Sequence, residues 1–313
     1  MAVYSISALA APIQQRVHRL ANWTVLFRWR GYVFVTFGLF GGLATLVGGM
    51  IGAYLMLGQG VPVADSALIL GGLLMGHLVA ARAFLLPWWG LHLVRRPVHV
   101  LRTVEFASWG GYVAIAIVMG VYASATDFGF FQLTDIAARA GPLAHAIGRL
   151  GCFTFGCCFG RPTRLPLAVR YDSPEAKASR VAGLRGVPLH PVPLYEAAYN
   201  VLLFAILNAV ALVGAPVGMP SALYLVLYGT GRFCLETLRY NGPNDDIGPL
   251  PRNQWLALLM LVSGLAIMPL HGQGPHFVAP DLKHLLALAP IVGLSSGVVF
   301  LTYSLHRGSI GRW

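Results

Sequence analysis

Three groups of ionisable residues lie at the ends of apolar stretches of this 313-residue chain, and their types suit the binding of an anion. The first contains His145 and Arg149, which are four residues apart and would share one face of a continuous helix. The planar guanidinium fork suits a phosphodiester. The alternative is a helix end whose arginine extends to the membrane surface. Glycines, which permit tight turns and close backbone approach to a ligand, surround the arginine: Gly148, Gly151, Gly156 and Gly160.

The second group, His190 to Glu196, opens another apolar stretch. It contains Tyr195 and two prolines, which fit the beginning of a helix. Glu196 would lie one turn inside that helix. A carboxylate inside a membrane costs about 2.5–3.5 kcal/mol, so Glu196 is expected to have a charged partner. The alternative is a plain helix cap at the membrane surface.

The third group closes a later apolar stretch, where Arg232, Glu236 and Arg239 are spaced at i, i+4 and i+7. This spacing places the three side chains on one ridge of a helix. Two cations and one anion leave a positive stripe, which predicts an external anionic ligand. The alternative is a closed structural network of ion pairs that includes Glu196.

The cysteines Cys152, Cys157 and Cys158 fall within seven residues and form a local feature, whereas Cys234 lies within a predicted helix. Small buried thiols that fill gaps are the main interpretation, and we predict neither a metal nor a cofactor. A disulfide, a zinc site with His145 and a reactive thiol beside Arg149 remain open alternatives.

The amino-acid composition indicates that these groups lie in a membrane protein. The chain is 57% hydrophobic and 11% charged, with mean hydropathy +0.68, whereas soluble domains contain about 25% charged residues. The net charge of +11 comes from basic residues between apolar stretches, which favours anionic lipid over nucleic acid. We predict an all-α, polytopic transmembrane helix bundle forming a single membrane domain over 1–313. Candidate spans of about 20 residues lie at about 32–57, 66–86, 108–125, 131–148, 192–213, 219–238, 253–270 and 284–305.

Two further segments are predicted outside the spans. Residues 16–30, with arginines among aromatic residues, resemble an interfacial helix. Residues 149–190 are long and polar enough for a small extramembrane head, and their prolines argue against a long helix.

The loops between the predicted spans are alternately basic and nearly uncharged. The positive-inside rule alone would place the basic face in the cytoplasm.

In order and spacing, the three groups resemble the motifs of the bacterial prolipoprotein diacylglyceryl transferase family, in its divergent Cys-Cys branch. The resemblance covers about residues 28–268. The glycine-arginine-x-glycine hallmark is similar to Gly148–Gly151 and continues to Gly160; the histidine-proline motif resembles His190–Glu196. The late arginine, glutamate and second arginine fall on Arg232, Glu236 and Arg239. Asp135 and Gln254 look like further family positions.

The resemblance implies transfer of a diacylglyceryl group from phosphatidylglycerol to the lipobox cysteine of a preprolipoprotein signal peptide, with release of glycerol phosphate. It implies a multi-pass protein of the bacterial plasma membrane whose active face is extracytoplasmic, against the positive-inside count. Arg149 and Arg232 would hold the phosphate and stabilise the leaving group, and Glu196 and Glu236 would orient them. Substrate-binding roles are implied for a wider set: Gly148, Gly151, Gly160, Arg239, Tyr195, His190 and Asp135.

The chain departs from the family pattern at several positions. Trp109 replaces a histidine before two glycines, and Arg30 replaces a tyrosine near the first span. The hallmark asparagine, a later glutamate and a glutamine correspond to Cys152, Cys157 and Pro193. His145 is therefore the predicted proton acceptor for the incoming thiol. The alternatives are a lipid-binding accessory protein without transfer activity, and a thiol-redox or metal protein.

Overall fold

The computed structural model describes residues 14–83, 108–241, 246–268, 274, 277–308 and 310. Within these residues the protein is mainly helical, as the sequence predicts. The helices are α1 (14–21), α2 (Thr36–Gly58), α3 (Val63–Ala83), α4 (Ser108–Ala125), α5 (Phe130–Phe155), α6 (Lys177–Arg180), α7 (Val192–Leu212), α8 (Met219–Leu238), α9 (Arg252–Ile267) and α10 (Leu282–Ser304). The strands are β1 (Val25–Trp29), β2 (Tyr32–Val35), β3 (Asp246–Ile247), β4 (Leu250–Pro251) and β5 (Leu305–Arg307).

Four of the described helices are long and apolar enough to cross a membrane: Thr36–Gly58, Val63–Ala80, Val192–Leu212 and Leu282–Ser304. Two shorter apolar helices, Trp109–Ala125 and Arg252–Ile267, accompany them. The protein is therefore a multi-pass helical membrane bundle. Each of the eight predicted spans falls on a helix, although the ends of the 66–86 and 253–270 stretches lie outside the described residues.

Small residues bring the central helices close together. Helix α2 packs between α5 and α10, while α8 packs against α9 and α5 against α7. A Cβ atom added at Gly48 would lie 2.7 Å from the Cβ of Ala144, and one added at Gly76 would lie 3.0 Å from that of Ala114. Such close backbone approach is the usual basis of helix association in lipid.

A three-stranded antiparallel sheet, in the order β1-β2-β5, stands at one end of the bundle. The predicted interfacial helix is therefore wrong beyond residue 21, and the first span begins at Thr36 instead of residue 32. The reason is a two-residue turn at Arg30 and Gly31, both with positive φ, which joins two strands rich in aromatic and β-branched residues. The C-terminal strand then completes the sheet.

The predicted head is present but begins later than residue 149, because α5 continues as a helix to Phe155. Gly156 ends α5 in the left-handed conformation, and residues 156–191 follow as irregular chain with the single turn α6. Buried side chains of this segment pack against α1 and the end of α5, around the fully buried Tyr171. An ion pair between Arg28 and Glu175 joins the head to β1.

Gly160 lies where three segments of the chain cross. Its amide donates to the carbonyl of His190, and the next amide, of Arg161, donates to the carbonyl of Leu238. A Cβ atom at Gly160 would lie 2.5 Å from the Cβ of His190 and 2.8 Å from the Leu238 carbonyl oxygen. This glycine therefore joins the head to the beginning of α7 and the end of α8.

Replacing Gly160 with alanine is expected to destabilise the protein by about 1–3 kcal/mol, because two backbone segments must separate to accept the methyl group. Thermal unfolding of the purified protein in detergent would show a lower midpoint. The matched control is Gly183→Asn in the head, since a Cβ there meets no described atom within 4 Å and asparagine tolerates its positive φ. An unchanged midpoint for Gly160→Ala would contradict the crossing geometry.

Candidate functional site

Helices α5 and α7 and the end of α8 bring arginines and glutamates from separate parts of the sequence into one cluster. This arginine cluster consists of Arg149, Glu196, Arg232, Glu236 and Arg239. Arg149 Nη2 lies 2.7 Å from Glu196 Oε1, and Arg232 Nη2 lies 2.7 Å from Glu236 Oε2. Arg232 Nη1 also lies 3.8 Å from Glu196 Oε2, so Glu196 links the two arginines. Arg239 Nη1 lies 3.8 Å from Glu236 Oε2. The structure thus brings together the charged residues singled out in the three sequence groups.

The arginine cluster is buried and positively charged. Arg149, Arg232 and both glutamates are at most 6% exposed. Three guanidinium groups and two carboxylates give the five side chains a net charge of +1. Within the described part of the chain, Arg232 Nη1 is buried without a hydrogen-bond partner. An unsatisfied buried guanidinium nitrogen is costly, and an anion with acceptor oxygens would satisfy it.

A tyrosine that the sequence analysis missed supports Glu196. The hydroxyl of Tyr228, on α8, donates to Glu196 Oε1 at 2.9 Å. Its ring stacks on Tyr224, whose hydroxyl lies 2.9 Å from that of Tyr112 on α4. These aromatic residues fill the space beside the carboxylate and fix its orientation. Three tyrosines in apolar helices carry no distinctive spacing, so only the tertiary structure shows the arrangement.

His145 contacts the arginine cluster, but the ring nitrogen that could accept a proton already accepts a hydrogen bond. Its Nε2 accepts a hydrogen bond from Arg149 Nε at 3.0 Å, because a guanidinium can only donate. The same Nε2 lies 3.6 Å from Glu196 Oε1. The accepting nitrogen has its lone pair engaged, and the other ring nitrogen of a neutral imidazole carries the proton. The geometry therefore favours His145 as a residue that positions Arg149, in place of the predicted proton acceptor.

Trp109, which stands where the family pattern has a histidine, is connected to the arginine cluster through one residue. Its indole Nε1 donates to Asn253 Oδ1 at 2.9 Å, and Asn253 Nδ2 donates to Glu236 Oε1 at 3.0 Å. The tryptophan thus helps to orient Glu236 from α4 through α9. The sequence analysis did not identify Asn253, but did note its neighbour Gln254, which is buried and donates to the carbonyl of Phe233.

The glycines around Arg149 were expected to permit tight turns or close backbone approach to a ligand, and their role in substrate binding stays a prediction. Gly148 and Gly151 lie within α5, so neither forms a turn. Gly151 instead permits close packing against α2, where an added Cβ would lie 3.1 Å from the Cβ of Phe40. Gly148 faces open space among the described residues. The helix continues past the predicted end at 148, so that only Gly156 and Gly160 lie beyond it.

Asp135 is separated from the arginine cluster along α5 and serves the beginning of α8. Its carboxylate accepts hydrogen bonds from the amide of Gly218 at 2.7 Å, and from the amide and hydroxyl of Ser221 at 2.9 and 2.6 Å. It thereby satisfies amides that a helix N-terminus leaves without partners. Asp135 is 14 residues, about 21 Å, from Arg149 along the helix, so this contact replaces its predicted substrate-binding role.

His190 and Tyr195 lie at the entrance to α7, where their rings make an edge contact with centroids 6.3 Å apart. His190 pairs through its backbone with Gly160 and Arg161, which places it at the junction with the head. Its Nδ1 is buried and lacks a hydrogen-bond partner in the part of the chain that the structure describes. Their predicted role in substrate binding stays a prediction.

Three cysteine thiols adjoin the arginine cluster. The sulfurs of Cys152, Cys157 and Cys158 all lie within 4.8 Å of one another. Arg149 Nη1 is 3.8 Å from Cys152 Sγ, and Arg239 Nη2 is 3.3 Å from Cys158 Sγ. Hydrogen bonds from the two neighbouring thiols lower the pKa of Cys158 well below its ordinary value, and the two guanidinium groups act in the same direction. Cys234 is exposed on α8 and takes no part.

An apolar cavity of about 290 Å³ lies between α2, α3, α4, α5 and α10. Its wall on α5 includes Gly141 and Ala144, and Ala144 precedes Arg149 by five residues, a rise of about 7.5 Å. Apart from His77, its lining consists mainly of glycine and aliphatic side chains. A space of this chemistry suits hydrocarbon, and it lies about one and a half turns from the arginine cluster.

Comparison with known proteins matches the chain to one family. The model of the family described as prolipoprotein diacylglyceryl transferase matches residues 24–270. A phosphatidylglycerol–prolipoprotein diacylglyceryl transferase of Azoarcus sp. is 32% identical over 68% of this chain and 79% of its own length. Its Bordetella bronchiseptica counterpart is 31% identical over 64% and 73%. The match to the Clostridium tetani protein, 29% identical, covers 52% of this chain and 62% of that protein.

Proposed function

The chain belongs to the prolipoprotein diacylglyceryl transferase family, and from this premise we propose that it transfers a diacylglyceryl group from phosphatidylglycerol to the lipobox cysteine of a prolipoprotein. The substrates are those in the names of its relatives. The observation that carries the proposal is the arginine cluster. Its net charge of +1 and Arg232 Nη1, which has no hydrogen-bond partner among the described residues, make a site for one phosphodiester anion.

The geometry supports the role proposed for each charged residue. Arg149 and Arg232, which come from different helices, hold the phosphate between them and stabilise the negative charge that grows on it as the glycerol carbon–oxygen bond breaks. Glu196 and Glu236 position these arginines through the 2.7 Å ion pairs. Arg239 adds positive charge at the edge of the site. The incoming cysteine attacks as a thiolate, and its sulfur forms the new bond to the glycerol carbon.

The apolar cavity supports the assignment of a lipid substrate. A phospholipid whose phosphate contacts Arg149 has its acyl chains within reach of the α5 wall of the cavity. The apolar lining offers an acyl chain surroundings similar to the bilayer interior that it leaves. We therefore assign the cavity to an acyl chain of phosphatidylglycerol. On the same proposal, the protein acts in the bacterial plasma membrane with the arginine cluster toward the extracytoplasmic side.

Filling the cavity is expected to impair use of the lipid without harming the arginines. A Cβ atom at Gly141 meets no described atom within 4 Å, so Gly141→Phe places its ring in the cavity. The KM for phosphatidylglycerol should rise at least about tenfold, equivalent to about 1.4 kcal/mol of lost binding. The matched control is Gly297→Phe on α10, at an exposed position where a Cβ also meets no described atom. Equal KM values for the two variants would exclude the cavity as the acyl site.

Complementation tests the proposed function itself. Expression of this chain in bacterial cells depleted of their own transferase should restore diacylglyceryl modification of lipoproteins, measured by mass spectrometry of a reporter lipoprotein. The control is the same chain with Arg149 and Arg232 changed to glutamine. Failure of the wild-type chain, when present in the membrane and folded, would contradict transfer. Retention of phosphatidylglycerol without transfer would favour the lipid-binding accessory protein.

A further inference from the structure

The three thiols beside the arginine cluster are assembled by local backbone geometry. Cys152 lies in the last turn of α5, and the amide of Cys157 donates to its carbonyl at 3.0 Å as the helix ends. Cys158 then adopts φ +55°, a left-handed conformation that is uncommon for a residue with a side chain. The result brings three sulfurs within 4.8 Å of one another. A left-handed backbone at Cys158, beside the arginine cluster, favours a functional role for the three cysteines over simple filling of gaps in the packing.

Two guanidinium groups of the arginine cluster lie close to the sulfurs. Arg149 Nη1 lies 3.8 Å from Cys152 Sγ, and Arg239 Nη2 lies 3.3 Å from Cys158 Sγ. Both guanidinium groups also pair with carboxylates of the arginine cluster. Hydrogen bonds from outer residues to metal-bound ligands are a regular feature of metal sites and tune the metal. Three thiolates around a divalent cation together carry one negative charge, and the adjacent guanidinium groups of Arg149 and Arg239 would stabilise it.

We propose that Cys152, Cys157 and Cys158 form a binding site for a thiophilic divalent cation, Zn²⁺ above all, with the fourth coordination position left for an incoming thiol. Zinc bonds thiolates at about 2.3 Å, which separates tetrahedral ligands by about 3.8 Å, so the three sulfurs need to close by about an ångström at most. Three protein ligands and one open position are the arrangement of catalytic zinc sites, whereas structural sites provide four ligands.

The open position gives the metal a role in transfer, and this part of the inference rests on the proposed function. The lipobox thiol would bind the cation and lose its proton to solvent, because metal coordination deprotonates a thiol. The sulfur electron pair then forms the bond to the glycerol carbon, while the carbon–oxygen bond breaks and its electrons leave with the phosphate. The product is a neutral thioether, a weaker ligand than a thiolate, which can leave. This route needs no histidine as proton acceptor, consistent with the engaged lone pair of His145.

The first test measures metal binding in the absence of substrate. The full chain, purified in detergent without chelators, should contain about one zinc per protein by elemental analysis, as one shared site implies. Co²⁺ exchanged into the protein should give intense tetrahedral thiolate absorption. Cys152→Ser, Cys157→Ser and Cys158→Ser should each reduce Co²⁺ affinity by at least about a hundredfold, since even outer partners of a metal site contribute 10–100-fold. Cys234→Ser is the matched control and should retain the wild-type spectrum.

A lipobox peptide provides the second test. Its cysteine should shift the Co²⁺ spectrum on binding, and the same peptide with serine should not. Absence of stoichiometric metal, or equal Co²⁺ binding by wild type and the three cysteine variants, would overturn the site. Loss of two titratable thiols in freshly purified protein, reversed by a reductant, would replace it with a disulfide. Transfer by metal-free protein would overturn the thiol-activating role alone, while metal binding without transfer would count against the proposed function and leave the site standing.

Discussion

Changing Arg232 to lysine is expected to lower the rate of diacylglyceryl transfer by about 10²–10³-fold, the usual effect of removing one preorganised donor to a developing anion. Lysine keeps the charge but loses the planar fork that holds Glu236 through Nη2 and leaves Nη1 for the phosphate. The measurement is the initial rate of transfer from phosphatidylglycerol to a synthetic lipobox peptide. The effect should fall on kcat, because the interaction strengthens as charge develops on the leaving group.

Arg139 provides the matched control for this prediction. It lies on α5 with Arg149, but its Nε donates to Asn208 Oδ1 at 3.2 Å instead of joining the arginine cluster. Arg139→Lys should leave kcat close to the wild-type value. Similar losses in Arg139→Lys and Arg232→Lys would mean that the rate reflects the general stability of the bundle, and the assigned role of Arg232 would have to be abandoned.

Changing Glu196 to glutamine is expected to have the largest effect on stability, about 3–5 kcal/mol. The carboxylate is 1% exposed and pairs with Arg149 at 2.7 Å, while Arg232 lies 3.8 Å away. Its neutralisation leaves two buried guanidinium groups with less compensating charge. Denaturant unfolding in detergent micelles would measure the loss, and transfer should fall with it because both arginines lose their orientation.

The control for Glu196→Gln is Glu175→Gln, which removes a carboxylate from the ion pair with Arg28 near the surface. Such an exposed pair contributes about 0–1 kcal/mol, so this variant should unfold near the wild-type denaturant concentration. If Glu196→Gln were equally stable, Glu196 would not compensate the buried arginines. Addition of phosphatidylglycerol should stabilise the wild-type protein, since a ligand that binds only the folded state shifts the unfolding equilibrium.

Much of the arginine cluster could be predicted from the sequence because a charge inside a membrane helix needs a partner. Glu196 was expected to pair for this reason, and the resemblance implied that Glu196 and Glu236 orient two arginines. The structure joins these four side chains across three helices. Helix periodicity also predicted Arg232, Glu236 and Arg239 on one ridge. This holds for the first two, whereas α8 ends at Leu238 and Arg239 follows it in an extended conformation. What periodicity could not provide was the lateral order of the helices, so Asn253 and Tyr228 were missed as partners of the carboxylates.

The differences between the sequence predictions and the structure have local physical causes. Residues 25–35 are apolar enough to extend a span or form an interfacial helix, but the turn at Arg30 and Gly31 pairs β1 with β2, and the C-terminal strand completes the sheet. Gly148 and Gly151 were expected to permit a turn because glycine is a poor helix former, yet in lipid small residues are retained in helices where backbones approach. The three cysteines were recognised as a local feature, but a zinc site remained one of several alternatives because their spacing matches no usual metal motif and their approach depends on the backbone at Cys158.

On the proposed function, buried arginines from two helices hold the phosphate of phosphatidylglycerol during transfer. The most direct test reconstitutes the purified protein in nanodiscs with phosphatidylglycerol and a lipobox peptide, and measures modified peptide and released glycerol phosphate together. We expect the two products in equal amounts, and none when diacylglycerol, which lacks the phosphate, replaces the lipid. Modified peptide from diacylglycerol, or undiminished transfer after Arg149 and Arg232 are both changed to lysine, would contradict the account.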